Sequence, residues 1–159
     1  MTEPSLSGMV RFQSGHTFHD QHATTLVIHC SDGRYQAHID EFLERSLKLE
    51  SFDRLVVPGG PQFLFAASYL PKFEWAGRKW VHFLAKHHDT QEVICIAHED
   101  CGAYKHLTLG PVTINALKDR QMADLKRTPA VLQEMVPNVH VQLFYARPSK
   151  TGQVEFIEV

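Results

Sequence analysis

The 159-residue sequence contains only three cysteines, Cys30, Cys95 and Cys101, which are too few for a framework of disulfide bonds. It has no apolar run close to the roughly 20 residues that a membrane-spanning helix needs. The first residues also lack the basic start and apolar stretch of a secretory signal peptide. These absences predict a cytoplasmic protein with no membrane partner.

The chain also lacks an excess of either charge: charged residues make up an ordinary 21% of it, and the formal net charge is −2 at pH 7. A chain without a basic excess gives no electrostatic reason to expect nucleic acid as a partner. Hydrophobic residues make up 43%, which is ordinary for a globular protein, and the length suits one domain. We predict an N-terminal arm over residues 1–22, where no periodicity is evident, and a single domain over 23–159.

The hydrophobic pattern predicts strands that alternate with helices. Strands are predicted at 24–29, 54–57, 92–97, 139–146 and 153–159; helices are predicted at 36–49, 72–87 and 113–135, with shorter turns at 63–69 and 101–107 and a break near Pro129. This alternation predicts a three-layer α/β fold whose mostly parallel sheet is flanked by helices. The short connection over 148–152 predicts an antiparallel last strand, and Cys95, inside a strand, is expected to be a small buried apolar residue.

Two motifs follow buried strands. The first is Cys30-Ser31-Asp32-Gly33-Arg34 and the second is His98-Glu99-Asp100-Cys101-Gly102. Binding sites in open α/β sheets form at the carboxyl ends of strands, so the motifs meet if the first and third strands pair. Two thiolates and one imidazole suit zinc and leave one coordination position open. The sequence therefore predicts a Zn²⁺ site in the domain over 23–159.

The paired motifs resemble those of the β-class carbonic anhydrases, which carry Cys-x-Asp-x-Arg after the first strand and His-x-x-Cys-Gly after the third. The resemblance implies that Cys30, His98 and Cys101 hold the metal and that Asp32 and Arg34 are catalytic. It implies a β-carbonic-anhydrase-like fold and the reversible hydration of CO2 to bicarbonate by zinc-bound hydroxide, with CO2 and bicarbonate as the small-molecule partners.

The role of Asp32 stays open at this point. Its carboxylate could accept a hydrogen bond from zinc-bound hydroxide, or it could be a fourth zinc ligand that closes the site. A bidentate pair with Arg34 would hold it away from the metal. The sequence offers three histidines as proton shuttles, namely His29, His38 and His106, without choosing between them.

One segment departs from the family pattern. After the second strand the family reads Arg-Asn-Ala-Gly-Asn, whereas this chain has Val57-Pro58-Gly59-Gly60-Pro61. This difference leaves other functions open: hydrolysis of CS2 or COS at the same site, or a non-catalytic zinc-binding relative with a structural or sensor role. A cysteine phosphatase or rhodanese is a remote alternative, because it would leave the second motif unexplained and because Gln36, not arginine, lies six residues after Cys30.

The resemblance also implies a homodimer or a dimer of dimers. The apolar stretch over 63–69 is the expected contact between subunits. His16, His19 and His22 have a spacing that could form a second metal site on a helix, although exposed polar residues are the simpler interpretation.

Overall fold

The computed structural model describes residues 8–66, 70–107 and 113–159, and a single sheet lies at its centre. The strands are β1 (Thr25–Cys30), β2 (Asp53–Val57), β3 (Glu92–His98), β4 (His140–Pro148) and β5 (Val154–Glu158). Their order is β2-β1-β3-β4-β5. The first four strands run parallel, and β5 is antiparallel to β4. The predicted mostly parallel sheet with an antiparallel last strand is therefore confirmed.

The pairing of β1 with β3 decides where the two motifs lie. The register aligns Thr25 with Glu92 and His29 with Ile96, so both strands end at the same edge of the sheet. Residues 93–98 of β3 are all buried, as expected for a parallel strand covered on both faces. Cys95 is fully buried, in agreement with the sequence.

The helices flank this sheet. They are α1 (Gln36–Glu41), which continues as a π-helical turn (Phe42–Ser46), a 3₁₀ helix (Gly60–Phe65), α2 (Pro71–His88), α3 (Gly102–His106) and α4 (Ile114–Met135). The single helix predicted over 36–49 is shorter, because the chain leaves helical geometry at Lys48, which has φ 57°. The predicted break at Pro129 is wrong, since α4 passes through it; buried Leu125 and Leu132 on either side hold both halves against the core.

Alternate residues of the strands supply two cores on opposite faces of the sheet. On one face Leu26 and Ile28 pack with α2, α4 and the 3₁₀ helix. On the other, Val27 and Ile94 pack with α1 and the π-helical turn. The three layers leave the carboxyl edge of β1 and β3 covered by α3 and by the loop after β2.

The expectation that the stretch over 63–69 lies between subunits is wrong for its described part. Phe63 and Leu64 are fully buried in the core of their own chain, because the 3₁₀ helix lies between the sheet and α2. Positions 67–69 fall outside the described residues.

The N-terminal segment forms neither helix nor strand over residues 8–24. Its end is anchored where the His22 ring stacks on His88, with 4.1 Å between ring centroids. The boundary between arm and domain at residues 22 and 23 stays a prediction. Across the described ranges, no helix combines the length and apolar character that crossing a bilayer requires.

Candidate metal centre

The three predicted ligands come together at the carboxyl edge of the sheet. Cys30 is the last residue of β1, His98 is the last of β3, and Cys101 is the N-cap of α3. Each offers a ligand atom, and these atoms all lie within 4.8 Å of one another. All three side chains are buried, so the cluster forms a compact donor set inside the protein.

The spacing of the donor atoms fits a tetrahedral metal. The two sulfur atoms lie 3.8 Å apart, and two sulfurs bound at about 2.3 Å to a tetrahedral zinc would lie about 3.8 Å apart. His98 Nδ1 donates a hydrogen bond of 2.8 Å to the Glu99 carbonyl oxygen. Its Nε2 is buried and has no hydrogen-bond partner among the described residues, as expected of a nitrogen kept free for a metal.

Hydrogen bonding favours the thiolate form of Cys30, one of the two thiols. The Gly59 backbone N–H donates to Cys30 Sγ over 3.3 Å. The bond from Cys101 lowers the pKa of Cys30, and its bond to Gly59 adds to this, while burial opposes both. The pKa of Cys101 is raised instead by its bond to Cys30 and by burial. Without a metal the pair keeps one proton, which a bound cation would displace.

Two residues that the sequence did not single out hold His98 in place. Tyr35 packs its ring against the imidazole, with 4.3 Å between centroids, and its hydroxyl donates to the Glu99 carbonyl. Gln121 of α4 donates from Nε2 to the His98 carbonyl oxygen over 2.8 Å. Both act across long sequence separations, so no local motif could have identified them.

Asp32 and Arg34 form the bidentate pair that the sequence suggested. Arg34 Nε lies 3.1 Å from both carboxylate oxygens of Asp32, and Nη2 lies 2.7 Å from Oδ2. The hydrogen bonds from Arg34 lower the pKa of Asp32 to about 2. Asp32 does not join the cluster of ligand atoms found among the described residues. The Asp32 carboxylate is therefore ionised and paired with Arg34, and it lies outside the cluster of metal donors.

Asp100, inside the second motif, ties the two motifs together. Its carboxylate lies 3.4 Å from Arg34 Nη1, and its carbonyl oxygen accepts from Nη2 over 3.3 Å. It also pairs with Lys105. Asp100 has φ 61°, a left-handed conformation that aspartate tolerates better than most residues. Sequence reasoning missed this role, because it assigned only the flanking His98 and Cys101.

The loop after β2 contributes backbone rather than side chains. Gly59 and Gly60 have φ of 83° and 54°, and a Cβ on Gly60 would lie 3.0 Å from the backbone nitrogen of Cys30. Glycine is therefore needed for the close approach that places the Gly59 N–H on Cys30. Although residues 57–61 depart from the family pattern, this loop still donates a backbone N–H to Cys30 Sγ.

An apolar cavity of about 430 Å³ opens beside this loop. It is lined by Pro58, Leu70, Phe73, Ala103, His106 and Leu107. Of the predicted proton shuttles, His106 is exposed and lines this cavity. His38 instead lines a separate groove between α1 and β5. His29 is fully buried, and burial lowers its pKa, so it is a packed histidine and the least suited of the three to pass protons to solvent.

The second metal site and the phosphatase loop that the sequence left open lack the arrangement of residues that each requires. Within 8–66, 70–107 and 113–159, the only group that could hold a metal is Cys30, His98 and Cys101. His16, His19 and His22 do not lie on a helix. Gln36 uses its Nε2 to hold the Cys30 and Asp32 carbonyl oxygens, so the loop after Cys30 is braced by a glutamine where a phosphatase would need arginine.

Solved structures share this architecture. β-Carbonic anhydrase isoform I of Trichomonas vaginalis aligns with a TM-score of 0.56 at 15% identity, over 90% of this chain and 87% of that one. The β-carbonic anhydrase of Aspergillus fumigatus aligns with a TM-score of 0.52 at 16% identity, over 86% and 76%. These similarities show the fold.

Two sequence relatives are uncharacterized rickettsial proteins. That of Rickettsia conorii is 25% identical over 128 residues, which are 77% of this chain and 66% of that protein. That of Rickettsia bellii is 25% identical over 126 residues, covering 77% and 75%. The matched region thus spans about two thirds of the Rickettsia conorii protein.

A family model described as "Putative carbonic anhydrase" matches residues 20–158. This range contains every strand, every described helix and both motifs. The match shows that the chain belongs to the family described as "Putative carbonic anhydrase", and its fold is similar to that of the β-carbonic anhydrases.

Proposed function

We propose that this protein is a zinc-dependent enzyme that reversibly hydrates CO2 to bicarbonate. One observation carries the proposal: three metal donors converge within 4.8 Å at the strand edge where Arg34 holds an ionised Asp32. A carboxylate poised beside an open metal position suits hydration chemistry, since it can orient a water as the water reacts.

The proposed zinc ligands are Cys30, His98 and Cys101. Three protein ligands leave one of four tetrahedral positions for water, which is typical of catalytic zinc. Zinc bound there would make water nucleophilic near neutral pH. The fit rests on the 3.8 Å sulfur spacing and on the free Nε2 of His98.

Asp32 is proposed to orient the attacking water. With a pKa of about 2, its carboxylate can only accept hydrogen bonds at neutral pH, and Arg34 fixes the direction of its oxygens. The water oxygen bonds to the carbon of CO2, and one proton leaves to buffer as bicarbonate forms. Among the three histidines named by the sequence, His106 is the proposed relay, because it is exposed on the wall of the apolar cavity.

Metal analysis paired with a CO2 hydration assay tests this function. The purified protein should hold about one zinc per chain, and stopped-flow turnover should rise from neutral toward alkaline pH as the activated water loses its proton. A zinc-replete protein that hydrates CO2 no faster than buffer across this range would contradict the proposal.

The apolar cavity supports a second candidate, hydrolysis of CS2 or COS. Both are small linear molecules like CO2, and walls formed by Pro58, Phe73 and Leu107 suit them at least as well. Turnover of all three substrates by one zinc-replete preparation separates the candidates. Turnover of CS2 or COS without turnover of CO2 would make their hydrolysis the first candidate. Turnover of none of the three would favour a non-catalytic zinc protein with a structural or sensor role.

We also propose a homodimer or a dimer of dimers. Large apolar side chains are exposed on the N-terminal segment and on α2: Met9, Val10, Phe12 and Phe18, and Trp75, Trp80 and Phe83. Apolar surface of this extent commonly marks contacts between proteins. Light scattering at micromolar concentration should give at least twice the monomer mass, and a monomer would contradict the proposal. A cytoplasmic location stays a prediction of the sequence.

A further inference from the structure

Gln62, in the 3₁₀ helix after β2, is a buried polar side chain without a hydrogen-bond partner in the part of the chain that the structure describes. It is 1% exposed, and neither its Oε1 nor its Nε2 has a hydrogen-bond partner among the described residues. Buried carboxamides are normally satisfied, because an unpaired polar group is costly to desolvate. Such an exception calls for a ligand or a functional reason.

The Gln62 carboxamide lies beside the metal centre. A Cβ on Gly59 would lie 2.5 Å from Gln62 Oε1 and 3.3 Å from the Ala103 Cβ, so all three meet in one corner. The same Gly59 donates its N–H to Cys30 Sγ over 3.3 Å. Ala103 follows Cys101 by two positions and, with Pro58, also lines the apolar cavity. Gln62 therefore packs, buried, against Gly59 of the loop that contacts Cys30 and close to Ala103, which lines the cavity.

We propose that Gln62 is a substrate-binding residue that recognises bicarbonate, an inference that rests on the proposed CO2 chemistry. Its Nε2–H donates to the anionic oxygen of bicarbonate, while its Oε1 accepts from the bicarbonate O–H. A carboxamide presents this donor and acceptor side by side in one plane, as bicarbonate presents its acceptor and donor.

This recognition would also set specificity. CO2 and bicarbonate carry oxygen atoms that accept hydrogen bonds, whereas CS2 offers only weakly accepting sulfur. A site with a buried polar group rejects a ligand that leaves the group unpaired. A hydrogen bond from Gln62 would thus add a polar contact beside a cavity lined mainly by apolar residues, and it would favour the oxygenated substrate over CS2.

The test replaces Gln62 with methionine, which keeps the length of the side chain and removes both polar atoms. Zinc-loaded, ¹⁵N-labelled protein is titrated with sodium bicarbonate and followed by NMR. Gln62→Met should raise the bicarbonate Kd at least about tenfold, as expected when a hydrogen bond to a charged group is lost. Its zinc content should be unchanged and its thermal midpoint equal or higher, because two unpaired polar atoms are removed.

The matched control is Gln142→Met. Gln142 lies near the start of β4, away from the site, and donates to Glu92 Oε1 over 2.7 Å. This variant should lower the thermal midpoint and leave the bicarbonate Kd unchanged, the opposite of Gln62→Met. An unchanged Kd in Gln62→Met would overturn the inference and leave Gln62 as an unpaired core amide.

The wild-type protein gives a second measurement if Gln62→Met does not fold. The side-chain NH₂ signals of Gln62 should shift as bicarbonate saturates the site. Gln62 signals that stay constant at saturation, or a zinc-loaded protein that binds no bicarbonate, would overturn the inference. Shifting signals without CO2 turnover would refute the proposed function alone, and turnover with constant Gln62 signals would refute this inference alone.

Discussion

The sulfur atoms of Cys30 and Cys101 lie 3.8 Å apart although 71 positions separate the residues in sequence. Two structural features produce this contact: the parallel pairing of β1 with β3, and the immediate start of α3 at Gly102. A thiol pair at this distance, with no disulfide among the three free cysteines, has the spacing that a shared metal requires.

Metal content tests the ligand set directly. Cys101→Ser should abolish zinc binding, because it removes one of only two soft donors. Cys95→Ala is the matched control, since Cys95 is a buried cysteine outside the cluster and its loss should leave about one zinc per chain. Inductively coupled plasma mass spectrometry after exhaustive dialysis makes the measurement, and full zinc occupancy in Cys101→Ser would refute the ligand assignment.

Asp32→Asn should retain zinc but lower kcat/KM for CO2 by about 100-fold, the scale of a lost acid–base contact. The amide can still pair with a neighbour, but it no longer offers two accepting oxygens to a reacting water. Zinc analysis and stopped-flow assays on the same sample separate the two effects. Wild-type turnover in this variant would remove Asp32 from the mechanism.

Arg34→Ala should release Asp32 toward the metal donors and favour a closed, four-ligand site. Activity is expected to fall while zinc is retained, and X-ray absorption should report an added oxygen ligand from the protein. Arg45→Ala is a suitable control, because Arg45 forms an exposed pair with Glu41 worth at most about 1 kcal/mol. Equal turnover in Arg34→Ala and Arg45→Ala would contradict the positioning role.

The sequence was sufficient for the parts of this site that depend on local pattern. Cys30 and His98 each end an apolar run that forms a strand, so their placement at one edge follows from strand geometry. Gly59, Gln62 and Gln121 were not predictable, because their contacts arise from the loop after β2 and from α4 folding over the edge. Such contacts depend on how distant segments pack in three dimensions, and no local sequence pattern reports that packing.

Asp124 should make stability depend on pH. It lies in α4, is 8% exposed and accepts from the Tyr104 hydroxyl over 3.0 Å, and burial raises its pKa. The folded state therefore holds this proton more tightly than the unfolded state. The resulting stability is complete at pH below the unfolded carboxyl pKa and is lost as pH rises through the higher folded value.

Asp124→Asn keeps an acceptor for Tyr104 and removes the buried charge. Relative to wild type, its free energy of unfolding should increase as pH rises from 4 to 7, by on the order of 1 kcal/mol. Urea denaturation of zinc-saturated protein measures the difference. Asp119→Asn, on the exposed side of the same helix, should show no such trend, and parallel pH curves for wild type and Asp124→Asn would contradict the prediction.

Gly77 controls how closely α2 approaches the 3₁₀ helix. A Cβ at this position would lie 2.3 Å from the Phe63 ring, and Phe63 is fully buried, so the ring has little room to move. Gly77→Ala gains about 1 kcal/mol of helix propensity, but overpacking costs about 1–3 kcal/mol. The overlap is severe enough that we expect a net loss of about 1–2 kcal/mol, measured by urea denaturation.

Phe63→Leu in the Gly77→Ala background tests whether this clash causes the loss. The smaller side chain should restore part of the stability lost in Gly77→Ala, whereas Phe63→Leu alone should destabilise the protein by leaving a cavity. Gly33→Ala is the control, because a Cβ there meets nothing within 4 Å. Additive effects of the two substitutions would show that Gly77 and Phe63 do not limit each other.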